Sequence, residues 1–133
     1  MNLHAKLIER EAAGRPVTVG LIGAGKFGTM FMAQARLTQG MHLVGVADLD
    51  VARARSQLKS AGWPDDAYAA SSLTDAHKKR STFVTDNAEA LISDPRIEVI
   101  VEATGVPGVG IHHALGTIAN GKHIVMVNVE ADV

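Results

Sequence analysis

The sequence contains no cysteine among its 133 residues. This absence excludes disulfide bonds, thiolate zinc sites and cysteine nucleophiles, and it fits a reducing compartment, so we expect a cytoplasmic protein. Neither positive nor negative charge is in excess, because the formal net charge is -1. The composition therefore does not indicate a polyanionic partner. No apolar run is long enough to span a bilayer, and charged residues at 9–11 stand where a signal peptide needs an apolar core. We therefore expect no membrane association.

Aromatic residues make up only 4% of the chain. The basic stretch at 77–81 therefore has no aromatic platform on which bases could stack, and we interpret it as a solvated face rather than a nucleic-acid site. His112 and His113 are interpreted as helix surface, because adjacent helical positions point about 100° apart and do not easily share a metal ion. We predict no metal site. Glu102 interrupts an apolar strand and is interpreted as a buried carboxylate bonded to neighbouring backbone or to a histidine.

Strand and helix patterns alternate along most of the chain. Residues 1–16 form a short amphipathic helix in this interpretation, and residues 17–133 form one further domain with about five strands. Because parallel strands need crossover connections, the alternation predicts an α/β fold of the Rossmann type, a doubly wound parallel sheet with helices on both faces. The helix after the third strand is predicted to start with a capping box of Asp86 and Glu89.

Residues 22–28 read IGAGKFG and follow an apolar, β-branched run directly. In the dinucleotide-binding pattern the first glycine, Gly23, makes a tight turn, and the second, Gly25, lets a diphosphate approach the main chain. The third, Gly28, permits close packing of helix and strand. The helix that begins near Lys26 would direct unpaired backbone N–H groups at the diphosphate. Taken alone, such a motif also occurs in turns that serve only packing, but its context favours dinucleotide binding across residues 17–133.

Asp48 ends the second predicted strand, where a carboxylate can accept hydrogen bonds from the adenosine ribose hydroxyls. The alternative is a helix N-cap or a solvated loop acid. Asp48 favours NAD, because a 2'-phosphate would face like charge. Arg53 and Arg55 lie just downstream, and either could pair with that phosphate and favour NADP.

A second group of residues ends the fourth and fifth strands. Ligands of open α/β sheets bind at the switch in strand order, which here falls between the first and fourth strands. Ala103, Thr104 and Gly105 are therefore expected to border the same crevice as the glycine motif. Asn128 would reach that edge from the fifth strand, where its amide can bond a nicotinamide ribose or carboxamide; its alternative role is that of a turn residue.

Three stretches carry a resemblance to a known family: GLIGAGKFG, VADLD and VIVEATGVPGVGIHHALGTIANGKHIVMVNVEADV. Together they resemble the N-terminal cofactor domain of homoserine-dehydrogenase-like oxidoreductases, in the branch that carries a C-terminal SAF domain and includes the DXR-like reductases. The resemblance implies hydride transfer between NADP or NAD and a small polar metabolite. DXR-like reductases make 2-C-methyl-D-erythritol 4-phosphate with NADPH, which slightly favours NADPH.

The resemblance also implies roles for individual residues. Asp48 would meet the adenosine ribose, and residues 103–105 with Asn128 would line the nicotinamide side. The implied diphosphate loop consists of Gly23, Ala24, Gly25, Lys26, Phe27 and Gly28.

The sequence also departs from this family. Homoserine dehydrogenases usually have an Ala-Asn-Lys-Ala-like stretch after the fifth strand, whereas Val129 stands here in the place of the lysine. This departure favours the SAF-bearing branch over authentic homoserine dehydrogenases. Family members continue for several hundred residues, so we expect a truncated chain that lacks the substrate domain and the catalytic residues and is inactive alone. A non-catalytic dinucleotide-sensing module is the alternative function. The sequence is also compatible with a homo-oligomer.

Overall fold

The computed structural model describes residues 3–127. Five of its segments form one sheet, in which every pair of neighbouring strands is parallel and the order is β3-β2-β1-β4-β5. The strands are β1 (Val17–Ile22), β2 (Met41–Ala47), β3 (Phe83–Thr85), β4 (Val99–Glu102) and β5 (His123–Met126). The order reverses between β1 and β4, so the expected Rossmann-type doubly wound sheet is confirmed.

Six α-helices and one 3-10 helix connect and flank these strands in the described residues. The α-helices are α1 (Leu3–Ala12), α2 (Lys26–Leu37), α3 (Val51–Ser60), α4 (Leu73–Lys79), α5 (Ala88–Ser93) and α6 (Pro107–Ala119), and the 3-10 helix is Asp65–Tyr68. Within residues 1–16, where the sequence predicts a helix, α1 occupies Leu3–Ala12. None of the helices in this part of the chain is long and apolar enough to cross a membrane.

Two hydrophobic cores lie on opposite faces of the sheet, because successive residues of a strand point to opposite sides. Val101 joins the core that contains Met32 of α2 and Leu58 of α3. Its neighbour Ile100 joins the core that contains Leu91 of α5, on the other face. Covering both faces explains why the strands are continuous apolar runs rather than alternating ones.

One predicted helix start is wrong. The capping box of Asp86 and Glu89 does not form, because α5 begins one residue later, with Asn87 as its N-cap and no side-chain cap hydrogen bond. The backbone N–H of Asn87 donates instead to Oγ1 of Thr85, at 3.1 Å. This local turn moves the start of the helix past Asp86.

The strand register brings the carboxyl ends of three central strands together. Ile22 at the end of β1 pairs with Ala47 at the end of β2 and with Glu102 at the end of β4. Residues that immediately follow these three positions therefore meet at one edge of the sheet.

Candidate functional site

A cavity of about 310 Å³ lies at the carboxyl edge of the sheet. It is lined by the loops that follow β1, β2, β3 and β4 and by the first turns of α6. Five of the residues predicted to bind the cofactor line it: Gly23, Gly25, Asp48, Ala103 and Thr104. The cavity straddles the switch in strand order between β1 and β4, which is where open α/β sheets bind ligands.

The three motif glycines have three different surroundings. Gly23 has a φ of +103°, and a Cβ there would lie 2.7 Å from the backbone carbonyl of Ala103. A Cβ at Gly28 would lie 2.1 Å from the backbone oxygen of Gly23. At Gly25 a Cβ would meet nothing within 4 Å. The chain therefore needs glycine at the first and third positions for its own packing, whereas the second leaves free space beside the cavity.

The N-terminus of α2 lies beside that free space. Gly25 is the N-cap, and the helix has no side-chain cap hydrogen bond at this end. The first N–H groups of an α-helix have no partner within the helix, and together with the helix dipole they favour an anion. The start of α2 can therefore bind an anionic group that approaches over Gly25.

The other residues of the expected loop act through their backbone or in the core. Ala24 is fully buried, and its N–H donates to Oδ2 of Asp48 at 2.8 Å. Phe27 packs against the core beneath α2 and α3. Lys26 is exposed. Neither Phe27 nor Lys26 lines the cavity, and their backbone N–H groups lie at the start of α2.

Asp48 is buried and holds three hydrogen bonds. In addition to the bond from Ala24, its Oδ1 accepts from the backbone N–H of Asp50 at 2.8 Å, and its Oδ2 accepts from Nη2 of Arg53 at 2.7 Å. Burial opposes ionisation of this carboxyl, but the bond from Arg53 and the two backbone bonds outweigh it and lower its pKa. The N-cap of α3 is Asp50, not Asp48, so the capping alternative for Asp48 is wrong.

The two candidate arginines point to different places. Arg53 lines the cavity beside Asp48, with about half of its side chain exposed (52%). Arg55 donates instead to the backbone oxygen of Tyr68 at 3.3 Å. Of the two, Arg53 is therefore the one that can meet an anion in the cavity.

The β4 side of the cavity contains a buried pair. Glu102 is bonded through Oε2 to Nδ1 of His113 and through Oε1 to the backbone N–H of Thr104, at 2.8 Å for the backbone bond. This confirms the interpretation of Glu102 as a buried, bonded carboxylate. The surface interpretation of His113 is wrong, because the residue is 8% exposed and lines the cavity, while that of His112 is correct.

A signal for His113 was present in the sequence. The buried positions of α6 are Gly110, His113 and Thr117, which have the spacing of one helical face. Their small or polar character hid this pattern from a search for apolar residues. Gly105 has a φ of +71° and turns the chain into α6 without lining the cavity. Asn128 lies outside the described residues.

Residues 19–133 match the family described as "Homoserine dehydrogenase, NAD binding domain". A homoserine dehydrogenase of Methylobacillus glycogenes is 47% identical over 45 residues, which are 34% of this chain and 11% of that protein.

Two solved structures share the fold. A homoserine dehydrogenase from Thiobacillus denitrificans is 24% identical with a TM-score of 0.61, over 84% of this chain and 23% of its own. The second is the myo-inositol dehydrogenase of Lactobacillus casei in complex with NAD(H) and myo-inositol. It is 20% identical with a TM-score of 0.62, over 84% of this chain and 28% of its own. The chain thus spans a small part of the length of each relative.

Proposed function

The chain belongs to the family of homoserine dehydrogenase NAD-binding domains, and on that premise we propose that it binds NADP or NAD across the carboxyl edge of the sheet. One observation carries this proposal: a Cβ at Gly25 would meet nothing, whereas at Gly23 and Gly28 it would strike backbone. Packing of the chain itself accounts for two of the three glycines. A ligand that needs bare main chain at the start of α2 accounts for the remaining one.

In the proposed arrangement the diphosphate lies over Gly25 and the first N–H groups of α2, those of Lys26 and Phe27. The adenosine ribose lies towards Asp48, at the end of β2. The nicotinamide half lies towards residues 103–105 at the end of β4, with Asn128 on the same side. Gly23, Ala24 and Gly28 shape the turn that carries the diphosphate.

We further propose that both coenzymes are accepted and that NADPH is slightly preferred. The carboxylate of Asp48 can accept from a ribose hydroxyl, which suits NADH. The half-exposed guanidinium of Arg53 lies on the same carboxylate and can pair with a 2'-phosphate. Because Arg53 partly neutralises Asp48, the negative charge that would repel this phosphate is reduced.

The activity that we propose is hydride transfer between nicotinamide and a small polar metabolite, with this chain as the coenzyme-binding part. The bound nicotinamide supplies or accepts the hydride, and the residues of this chain hold and orient it. We propose that the substrate contacts come from a separate domain, because this chain covers less than a third of the solved relatives. A more specific alternative is a DXR-like reductase of the SAF-bearing branch, which is favoured by Val129 in the place of the lysine of homoserine dehydrogenases. A non-catalytic dinucleotide sensor is the second alternative.

Titration with NADH and with NADPH, followed by calorimetry, tests the binding proposal. The Gly25→Val variant should lose affinity by more than about a hundredfold, because the added side chain fills the space over the helix start. Its melting temperature should stay near that of the wild type.

Gly108→Val is the matched control for this titration. A Cβ at Gly108 would also meet nothing within 4 Å, but this residue does not line the cavity. The control should bind as the wild type does. Absence of binding by the folded wild type to either coenzyme would refute the proposed function.

A further inference from the structure

The Glu102–His113 pair lies under the loop between β4 and α6. Glu102 is 2% exposed, and burying a carboxylate is costly unless its oxygens are satisfied. Both oxygens are satisfied here. Oε1 accepts from the backbone N–H and the hydroxyl of Thr104, and Oε2 is bonded to the ring of His113. One carboxylate therefore fixes both the loop after β4 and the imidazole of α6.

The contacts of Glu102 decide which ring nitrogen of His113 carries the proton. The carboxylate oxygen is an acceptor, so Nδ1 must be the donor in this pair. In a neutral imidazole, Nε2 then has a lone pair and no hydrogen. It can accept a hydrogen bond but cannot donate one.

The side chain of His113 lines the cavity, and its bond to Glu102 uses Nδ1, which leaves Nε2 outside that pair. Among the described residues, one buried side-chain polar atom lacks a hydrogen-bond partner, and it is Nε2 of His77. Nε2 of His113 is not among such atoms and has no part in the bond to Glu102, so it keeps some solvent-accessible surface. Because the side chain lines the cavity, this acceptor is available to a ligand there.

We propose that Nε2 of His113 accepts a hydrogen bond from a hydroxyl or amide N–H group of the bound dinucleotide, on its nicotinamide half. Glu102 is the positioning residue that holds the ring in the required tautomer. The inference rests on the proposed function. The nicotinamide half is assigned because β4 lies on the opposite side of β1 from Asp48. The phosphates are excluded because they are hydrogen-bond acceptors, as Nε2 is.

The first test is His113→Asn with NADH and ADP as probes. The side-chain amide of asparagine can donate to Glu102 from near the position of Nδ1, while nothing replaces Nε2. We expect affinity for NADH to fall about fivefold, as for the loss of one hydrogen bond. Affinity for ADP, which lacks the nicotinamide half, should not change.

His112→Asn is the matched control, because it makes the same change at the adjacent, exposed position of α6. It should leave both affinities unchanged. ADP-ribose separates the two donor groups: weakened binding to His113→Asn assigns a ribose hydroxyl, and unchanged binding assigns the carboxamide. Equal losses for NADH and ADP, or no loss for NADH, would overturn the proposal. If the wild type binds neither probe, the proposed function fails instead.

The second test reads the ring directly by ¹⁵N NMR of the imidazole. Addition of NADH should shift the Nε2 resonance of His113 and leave that of His112 in place. In Glu102→Gln the amide oxygen is needed by Thr104, so its NH₂ group faces Nδ1, and the proton should move to Nε2. That variant should lose the NADH-induced shift. If saturating NADH left the Nε2 resonance of wild-type His113 unshifted, the proposed hydrogen bond from NADH to Nε2 would be contradicted.

Discussion

The two sides of the cavity are built on one plan with different partners. At the end of β2, Asp48 accepts a backbone N–H from two residues further on and pairs with Arg53 of the next helix. At the end of β4, Glu102 likewise accepts a backbone N–H from two residues further on and pairs with His113 of the next helix. Both backbone bonds measure 2.8 Å. In each case a carboxylate closes the strand and holds a helical side chain beside the cavity.

The partners differ in exposure and charge. The side chain of Arg53 is 52% exposed, whereas that of His113 is 11% exposed. An exposed guanidinium keeps free N–H donors for an anion. A buried imidazole held by Nδ1 offers one acceptor in a fixed direction. The β2 side therefore suits a ligand group whose charge varies, such as a ribose with or without a phosphate, and the β4 side suits a neutral group.

Gly23 joins the two sides, and replacing it should have the largest effect. Its N–H donates to the backbone oxygen of Ala47 at the end of β2, at 2.8 Å. A Cβ on the other side of Gly23 would strike the carbonyl of Ala103. Gly23→Ala should lower the free energy of unfolding by at least about 2 kcal/mol, from the positive φ and this collision. Urea unfolding measures the loss.

Gly25→Ala is the control for this change. Gly25 has an ordinary φ of -77° and open space around it, so its alanine variant should lose only the N-cap preference for glycine, about 1 kcal/mol or less. Equal stability of the two alanine variants would mean that the turn does not fix the spacing between the sides.

Asp48→Ala should have the next largest effect. The buried N–H of Ala24 would lose its acceptor, which costs about 1–3 kcal/mol of stability. Affinity for NADH should fall about tenfold, and affinity for NADPH should fall less, because the released Arg53 can turn fully to a 2'-phosphate. Calorimetric titration with both coenzymes gives the ratio.

Asp50→Ala serves as the control in the same loop. Asp50 caps α3 by accepting from the N–H of Arg53 at 2.9 Å, so its loss should weaken the helix without changing the ratio of the two affinities. An equal loss of NADH and NADPH in Asp48→Ala would show that this carboxylate does not select between them.

Arg53→Gln should have a smaller, opposite effect. Affinity for NADPH should fall about fivefold, while affinity for NADH stays within about twofold, since only the 2'-phosphate needs the guanidinium. Arg55→Gln is the matched variant, because Arg55 bonds Tyr68 outside the cavity. If both variants changed NADPH binding alike, the charge of α3 as a whole would be responsible, not Arg53.

The two arginines also mark how far the sequence could predict the site. Apolar runs and glycine spacing predicted the strands, the turn and the position of Asp48, because these depend on local chain geometry. Residues two apart on a helix point about 200° apart, so Arg53 and Arg55 could not both face the cavity. Which one does depends on how α3 is rotated against the sheet, and this is set by the packing of Leu58 of α3 against residues distant in sequence, such as Val101.

The same limit applies to the β4 side. The strand pattern indicated that Glu102 is buried, but its partner is eleven positions away on a helix whose inner face is small and polar. His113 shares its helical face with Gly110 and Thr117, and no apolar residue among these three marks that face as buried. Only the rotation of α6 over β4 brings one of them inside.

Acid should weaken the β2 side, with the smallest effect of the series. Burial opposes ionisation of Asp48, yet Arg53 and two backbone N–H groups lower its pKa below the ordinary 3.8. A lowered pKa in the folded state adds stability above the unfolded value, and this contribution is lost as the pH falls below 3.8. Since Arg53 is half exposed, solvent screens the pair and keeps the effect modest. Asp75, Asp94 and Glu98 also have lowered pKa values, so the whole protein loses stability in acid.

Comparison with Asp48→Asn isolates the contribution of this one carboxyl. The wild type should be the more stable of the two in urea at pH 7, and the difference should shrink as the pH is lowered through the range below 3.8. A difference that stays constant down to acid pH would mean that the Asp48–Arg53 pair contributes nothing through its charge. The β2 side would then differ from the β4 side only in the exposure of its partner.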